Sequence, residues 1–165
     1  MASVVVARKE IPMPVQYREA VAADTETLVQ YNCLLALETE QKTLERETVR
    51  QGVVTGLTLA PEVRYFVAES AGVVIGQLML TREWSDWRNG WMSWLQSVYV
   101  TTEFRGQGVF RGLLEHAINA VQLSDNPVCL RLYVEHENSG AMECYRRLAF
   151  QDSGYLVMER VLTSL

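Results

Sequence analysis

Apolar residues recur along this chain at two periods, one of three to four residues and one of two, and the alternation between them lays out the elements. Gln16 to Ala20 reads as a first strand. Leu28, Tyr31 and Leu35 then mark one face of a helix that Asp24 is placed to cap, and Val49, Val53 and Leu57 continue a second helical face behind a cap at Thr43. The β-rich runs Val63 to Glu69 and Val73 to Thr81 are joined by Ser70-Ala71-Gly72, a hairpin signal. A turn over Trp84–Gly90 leads into a long strand from Trp91 to Val100. Val109, Leu113, Ala117 and Val121 share a third helical face, which Ser124, Asp125, Asn126 and Pro127 terminate. Val128 to Val134 follows as a strand. A helix from Ser139 to Leu148 comes next, capped by Asn138 and carrying Ala141, Cys144, Tyr145 and Leu148 on one side. Phe150 to Asp152 and Tyr155 to Val161 close the chain as short strands around Gly154. The order βααβββαβαββ predicts an α/β fold, α+β by some schemes, whose mixed, largely antiparallel central sheet is flanked by helices. No repeat or linker interrupts it, so a single domain is expected over 16–165 behind an N-terminal extension of 1–15.

Charge and composition narrow the function. Of 165 residues, 48% are hydrophobic, enough for a packed core, and 15 Lys+Arg against 20 Asp+Glu give a net charge of −5. Without a basic cluster the chain lacks the charge pattern from which nucleic-acid affinity is built, and a small-molecule partner is expected instead. No apolar run approaches the ~20 residues of a membrane span. The amino end places Arg8 and Lys9 after its short apolar patch, the reverse of a secretory signal, so a cytoplasmic protein is expected. Cys33, Cys129 and Cys144 are widely spaced in apolar segments and read as buried thiols; no metal is expected.

The chemistry concentrates where the strand ending at Val100 meets Arg105-Gly106-Gln107-Gly108 and the helix that follows. Unpaired first-turn amides, the helix dipole and small residues make such a turn an anion site, although an ordinary strand-to-helix turn has the same elements. Nucleotide patterns do not fit: GxxxxGK[ST] is absent, and Gly106-Gln-Gly108-Val-Phe-Arg111 lacks the last glycine of GxGxxG. The segment does resemble the pyrophosphate loop [QR]xxGx[GA] of the Gcn5-related N-acetyltransferase superfamily, meeting every place but the last, where Phe110 stands. Downstream, Asn138-Ser-Gly-Ala141-Met-Glu-Cys-Tyr145-Arg-Arg-Leu148-Ala-Phe150 is similar to the family's second motif, N…A…Y..LGF, with Ala149 where glycine is usual. Thr101-Thr102 also replaces a frequent proline after the strand. The likeness in element order runs from Gln16 nearly to the end of the chain.

The resemblance implies acetyl-CoA as cosubstrate and direct attack by a primary amine in a ternary complex. It implies that backbone groups of Val98 and Val100 pair with the pantetheine arm. The loop of Arg105, Gly106, Gln107, Gly108, Val109 and Phe110 would hold the diphosphate, and Asn138 would either touch the coenzyme or cap its helix. Tyr145 is the candidate general acid, since a phenol near 10 can protonate a departing thiolate near 8.5; the alternative is a packed core tyrosine. No base announces itself. Glu38, Glu40, Glu83, Asp86 and His136 are candidates, while His116 has no evident task. Glu38 and Glu40 lie in the region resembling the acceptor wall, and Trp84 and Trp87 offer an aromatic surface to an ammonium, with solvated glutamates and packed tryptophans as the alternatives. The expected partner is a small-molecule or peptide amine, with no nucleic acid or membrane and with a homodimer left open. The rival reading is a non-catalytic acyl-CoA-binding or sensing module on the same fold.

Overall fold

Four antiparallel strands and one parallel strand form the frame. The computed structural model describes residues 14–124 and 126–162. In it β1 (Gln16–Glu19), β2 (Val63–Ser70), β3 (Val73–Ser85), β4 (Gly90–Val100) and β5 (Pro127–Leu132) lie side by side in chain order. All neighbours are antiparallel except β4 and β5. The helices are α1 (Thr25–Glu40), α2 (Arg46–Gly56), α3 (Val109–Gln122) and α4 (Ser139–Arg147). This is the expected mixed sheet flanked by helices. The chain divides into two compact units at Tyr133–Val134, so α4 belongs to the second.

Alternation along the strands sorts the core of the first unit into two layers. Tyr65 and Val67 face Leu28 and Val29 of α1 and Val53 of α2, all of them buried. Phe66, one residue out of phase, turns to the opposite face and meets His116 of α3 edge-on at 5.9 Å. His116 also lies 6.4 Å from the Tyr17 ring, which gives this histidine a packing role. The β2–β3 hairpin turns through Ala71 and Gly72, both at positive φ, as a two-residue turn with the twist of the strands requires.

Three local expectations are corrected. Asp24 precedes α1 but caps nothing there: its carboxylate takes both Arg18 Nη1 (2.7 Å) and Nη2 (3.0 Å) and the Val21 amide (2.7 Å). A buried carboxylate beside a guanidinium fork is held by it in preference to a solvated helix end. The cap of α2 is Glu45, not Thr43; its extended backbone lets the carboxylate accept from the Glu47 and Thr48 amides at 3.0 and 2.6 Å. The two final strands are not formed. Residues 150–162 carry no strand, and Leu156, Met158 and Leu162 are each more than four-fifths exposed. Strand propensity produces a strand only where a neighbour completes the ladder. The N-terminal extension falls mostly outside the described residues.

Asp24 links β1 to the start of α1, and its pKa is lowered, first by the hydrogen bonds from Arg18 and then by the Val21 amide, against burial. A depressed carboxyl stabilises the fold above its unfolded value near 3.9, and the contribution is lost as pH falls through the folded value. Asp24→Asn is expected to cost about 2–4 kcal/mol at pH 7, because it leaves Arg18 facing Glu69 alone. Urea unfolding from pH 7 to pH 2 checks this: the difference between variant and parent shrinks below about pH 4.

Candidate active site

The site begins where β4 leaves its parallel neighbour. Their pairing runs from Trp91–Pro127 to Leu95–Leu132 and stops, while β4 continues to Val100 against β3. Gly90 lets the pair start close together, since a Cβ there would lie 2.6 Å from the Asn126 carbonyl. Beyond Leu95 the β5-facing edge of β4 has no ladder partner among the described residues.

A bulge re-aims that edge. Register slips between Gln77 and Met79, opposite Ser97, whose φ is 50°. A left-handed serine costs about 1–2 kcal/mol, and the surroundings hold it there. Gln77 is fully buried and donates Nε2 both to the Ser97 carbonyl (3.2 Å) and to Asn32 Oδ1 on α1 (2.7 Å). Its Oε1 has no partner among the described residues. Beyond the bulge, Thr101 N–H donates to the Ile75 carbonyl at 3.0 Å, so the peptide groups of Val100 turn away from β3.

The loop after β4 makes a short 3-10 turn at Thr102–Phe104 and enters α3 through two left-handed glycines, Gly106 (φ 74°) and Gly108 (φ 82°). Among the described residues no side chain caps α3, and a Cβ on Gly108 would meet nothing within 4 Å. The first-turn amides of α3 follow directly on Gly108, at the positive end of the helix. Val109 is buried and Phe110 half-buried in the first turn of α3.

Arg105 does not reach into that space. Its Nε donates to the Val100 carbonyl at 2.8 Å, its Nη2 to Glu38 Oε2 at 2.7 Å, and its guanidinium lies 5.2 Å over the Tyr99 ring. Tyr99 donates its hydroxyl to the other Glu38 oxygen at 2.8 Å, and its ring packs 5.0 Å from Tyr31. Burial, then the Glu38 hydrogen bond and charge, push the Tyr99 phenol up to about 12. Gln107 folds back to donate to the Glu103 carbonyl at 3.0 Å. Of the loop side chains expected at a diphosphate, both polar ones are therefore bonded to protein, and the Val100 carbonyl is already occupied.

The remaining candidates scatter. Glu38 joins the loop, whereas Glu40 pairs with Lys42 at 2.5 Å on the surface. Glu83 accepts from Trp94 Nε1 at 2.6 Å, and Asp86 accepts from the Trp87 amide at 2.9 Å. Trp84 stacks edge-on against Trp91 at 5.2 Å and Trp87 is 90% exposed, so the pair encloses no pocket. Both sit at the Gly90 end of β4, about 30 Å from the Val100 end of an eleven-residue strand. That separation removes them from any site built on the loop. The thiols are free but less buried than expected, Cys144 being exposed.

In the second unit Asn138 caps α4, accepting from the Ala141 amide at 3.0 Å. Tyr145 is half-buried, with Phe150 edge-on at 5.6 Å. Burial, then the neighbouring Cys144, push its phenol up to about 12. His136 is exposed. Sequence reasoning missed Gln77, Asn32, Ser97 and Tyr99. A lone amide inside the apolar run Val73–Leu80 is the signal that pointed to Gln77.

Comparison with known proteins adds four findings. The acetyltransferase (GNAT) family model matches residues 30–150. A possible acetyltransferase from Clostridium difficile 630 superposes with a TM-score of 0.84 at 37% identity, over 91% of this chain and 99% of that one. A predicted acetyltransferase with acetyl-CoA from Clostridium acetobutylicum shares the fold at a TM-score of 0.73 and 16% identity, over 90% and 97% of the two chains. An uncharacterised N-acetyltransferase of Methanocaldococcus jannaschii is 29% identical over 89 residues, 53% of this chain; the match spans 39% of that protein's length.

Gly108→Ala is expected to lower stability by about 1 kcal/mol, from backbone strain at φ 82° in the absence of any clash, while Gly108→Asn costs less. Urea denaturation of the two variants measures the order.

Proposed function

Because the chain belongs to the acetyltransferase (GNAT) family, we propose that it transfers the acetyl group of acetyl-CoA to a primary amine by direct attack within a ternary complex. One observation carries this reading: the edge of β4 beyond Leu95, without a ladder partner among the described residues, leads straight to a helix entered through two left-handed glycines. A β edge suits an extended amide-bearing arm, and an open helix N-terminus suits a diphosphate; the two occur in the order a coenzyme A molecule needs. The relative from C. acetobutylicum was determined with acetyl-CoA, which supports the same ligand here.

In this reading Val98 and the Val100 N–H bind the pantetheine arm, and the amides of Gly106, Gly108, Val109 and Phe110 hold the diphosphate. Backbone donors fixed in place before reaction are suited to stabilise charge on the thioester oxygen, at about 3 kcal/mol each. Arg105 and Gln107 shape the loop through their protein bonds. Asn138 serves as the cap of α4. By its place in the Asn138–Phe150 motif, Tyr145 is assigned as the general acid: its hydroxyl is protonated at neutral pH and supplies the proton that the departing thiolate takes up. The net charge of −5 favours a cationic acceptor. The acetyltransferase domain is assigned to residues 16–165, of which the family model matches 30–150.

Thiol release from acetyl-CoA against a broad panel of primary amines tests the reaction. Release with some amine is expected. Acetyl-CoA binding without release across the panel would favour the sensing module. Tyr145→Phe is expected to lower kcat about 100-fold with acetyl-CoA affinity unchanged; an unaltered kcat would remove Tyr145 from the acid role.

A further inference from the structure

Glu38 stands in the last turn of α1, on the segment expected to form the acceptor wall, yet its contacts belong to the other substrate. Both carboxylate oxygens are engaged, Oε1 by Tyr99 and Oε2 by Arg105. An incoming ammonium would have to displace one of these donors. Arg105 in turn donates to the carbonyl of Val100, the last residue of β4, and lies against the Tyr99 ring. A closed ring of contacts thus runs from α1 to β4, through the first residue of the loop, and back to α1.

The ring bears on geometry more than on stability. The ion pair is about two-fifths exposed on both sides, and such a pair contributes little to folding. What it fixes is orientation. A planar guanidinium that donates at once to a carboxylate and to a carbonyl has one rotational setting, and that setting determines where the chain leaves β4 for Gly106. Glu38 also takes up the charge of Arg105, so the loop binds an anion through oriented amides instead of a loose cation.

We infer that Glu38 is a positioning residue for the coenzyme: through Arg105 and Tyr99 it sets the Val100 peptide and the start of the glycine loop, and it does not bind the acceptor amine. This rests on the coenzyme reading of the loop. It also couples α1, the wall nearest the expected acceptor, to the loop, so that order in one is felt in the other.

The test is a double-mutant cycle on acetyl-CoA affinity, measured by calorimetry with parent, Glu38→Gln, Arg105→Gln and the double variant. Each single change is expected to raise Kd about tenfold, and the double variant to be no weaker than either, since all three break the same ring. Urea unfolding of the four proteins, expected to give coincident midpoints, separates this from loss of fold. With an amine that turns over, KM for the amine at saturating acetyl-CoA is expected to stay at the parent value in Glu38→Gln. Several results overturn the inference: an unchanged Kd, effects that multiply in the double variant, a rise confined to the amine KM, or tighter binding in Glu38→Gln. The last would mean that Glu38 withholds a phosphate-binding cation. Failure of the parent protein to bind acetyl-CoA would strike the coenzyme reading itself and take this inference with it.

Discussion

The parting of β4 from β5 is the constraint on which the proposed chemistry depends. Five residue pairs hold the two strands together, and beyond Leu95–Leu132 the edge of β4 is left open while β3 still supports its other side. An open edge is normally a hazard, because unpaired N–H and C=O groups recruit other strands. Here it is short, bent by the bulge at Ser97, and closed at its end by Arg105 on the Val100 carbonyl. These features suit an edge that receives one extended ligand and not a second sheet.

Holding that edge in place takes buried polar groups, which lie in a seam under α1. Gln77, Tyr31 and Tyr99 are buried there, with half-buried Asn32 and exposed Glu38 at the margin, each bonded to a neighbour in the seam or to a strand carbonyl. An apolar seam would bury more hydrocarbon and be more stable, but it would leave the Ser97 carbonyl unmet and give the bulge nothing to lock it. Leaving Gln77 Oε1 without a partner among the described residues is the cost of that choice.

Much of this was legible in the chain itself, for physical reasons that differ by element. The strands and the α3 face were readable because their apolar periods are long and unbroken, as in Val63–Ser70 and in Val109, Leu113 and Ala117. The glycine loop was readable because left-handed backbone selects glycine at both 106 and 108. Caps were less so: Asp24 and Thr43 have the right side chains, but a guanidinium claimed the first and Glu45 lay nearer the amides than the second. The final strands misled because Tyr155–Val161 has strand composition without a ladder. The placing of Trp84 and Trp87 was not legible, because sequence shows that aromatics are near one another and not which end of a strand they occupy. The Glu38–Arg105 pair spans 67 positions, a separation no local pattern encodes.

Hydrogen exchange of the intact protein, followed amide by amide with and without acetyl-CoA, addresses the central claim most directly. If the open edge and the helix entry form one coenzyme site, protection rises at Val98 and Val100 and at Gly106, Gly108, Val109 and Phe110, and the Trp84–Gly90 turn at the far end of β4 is unaffected. Protection centred on that turn, or none along β4 and the loop while acetyl-CoA is bound, would contradict it.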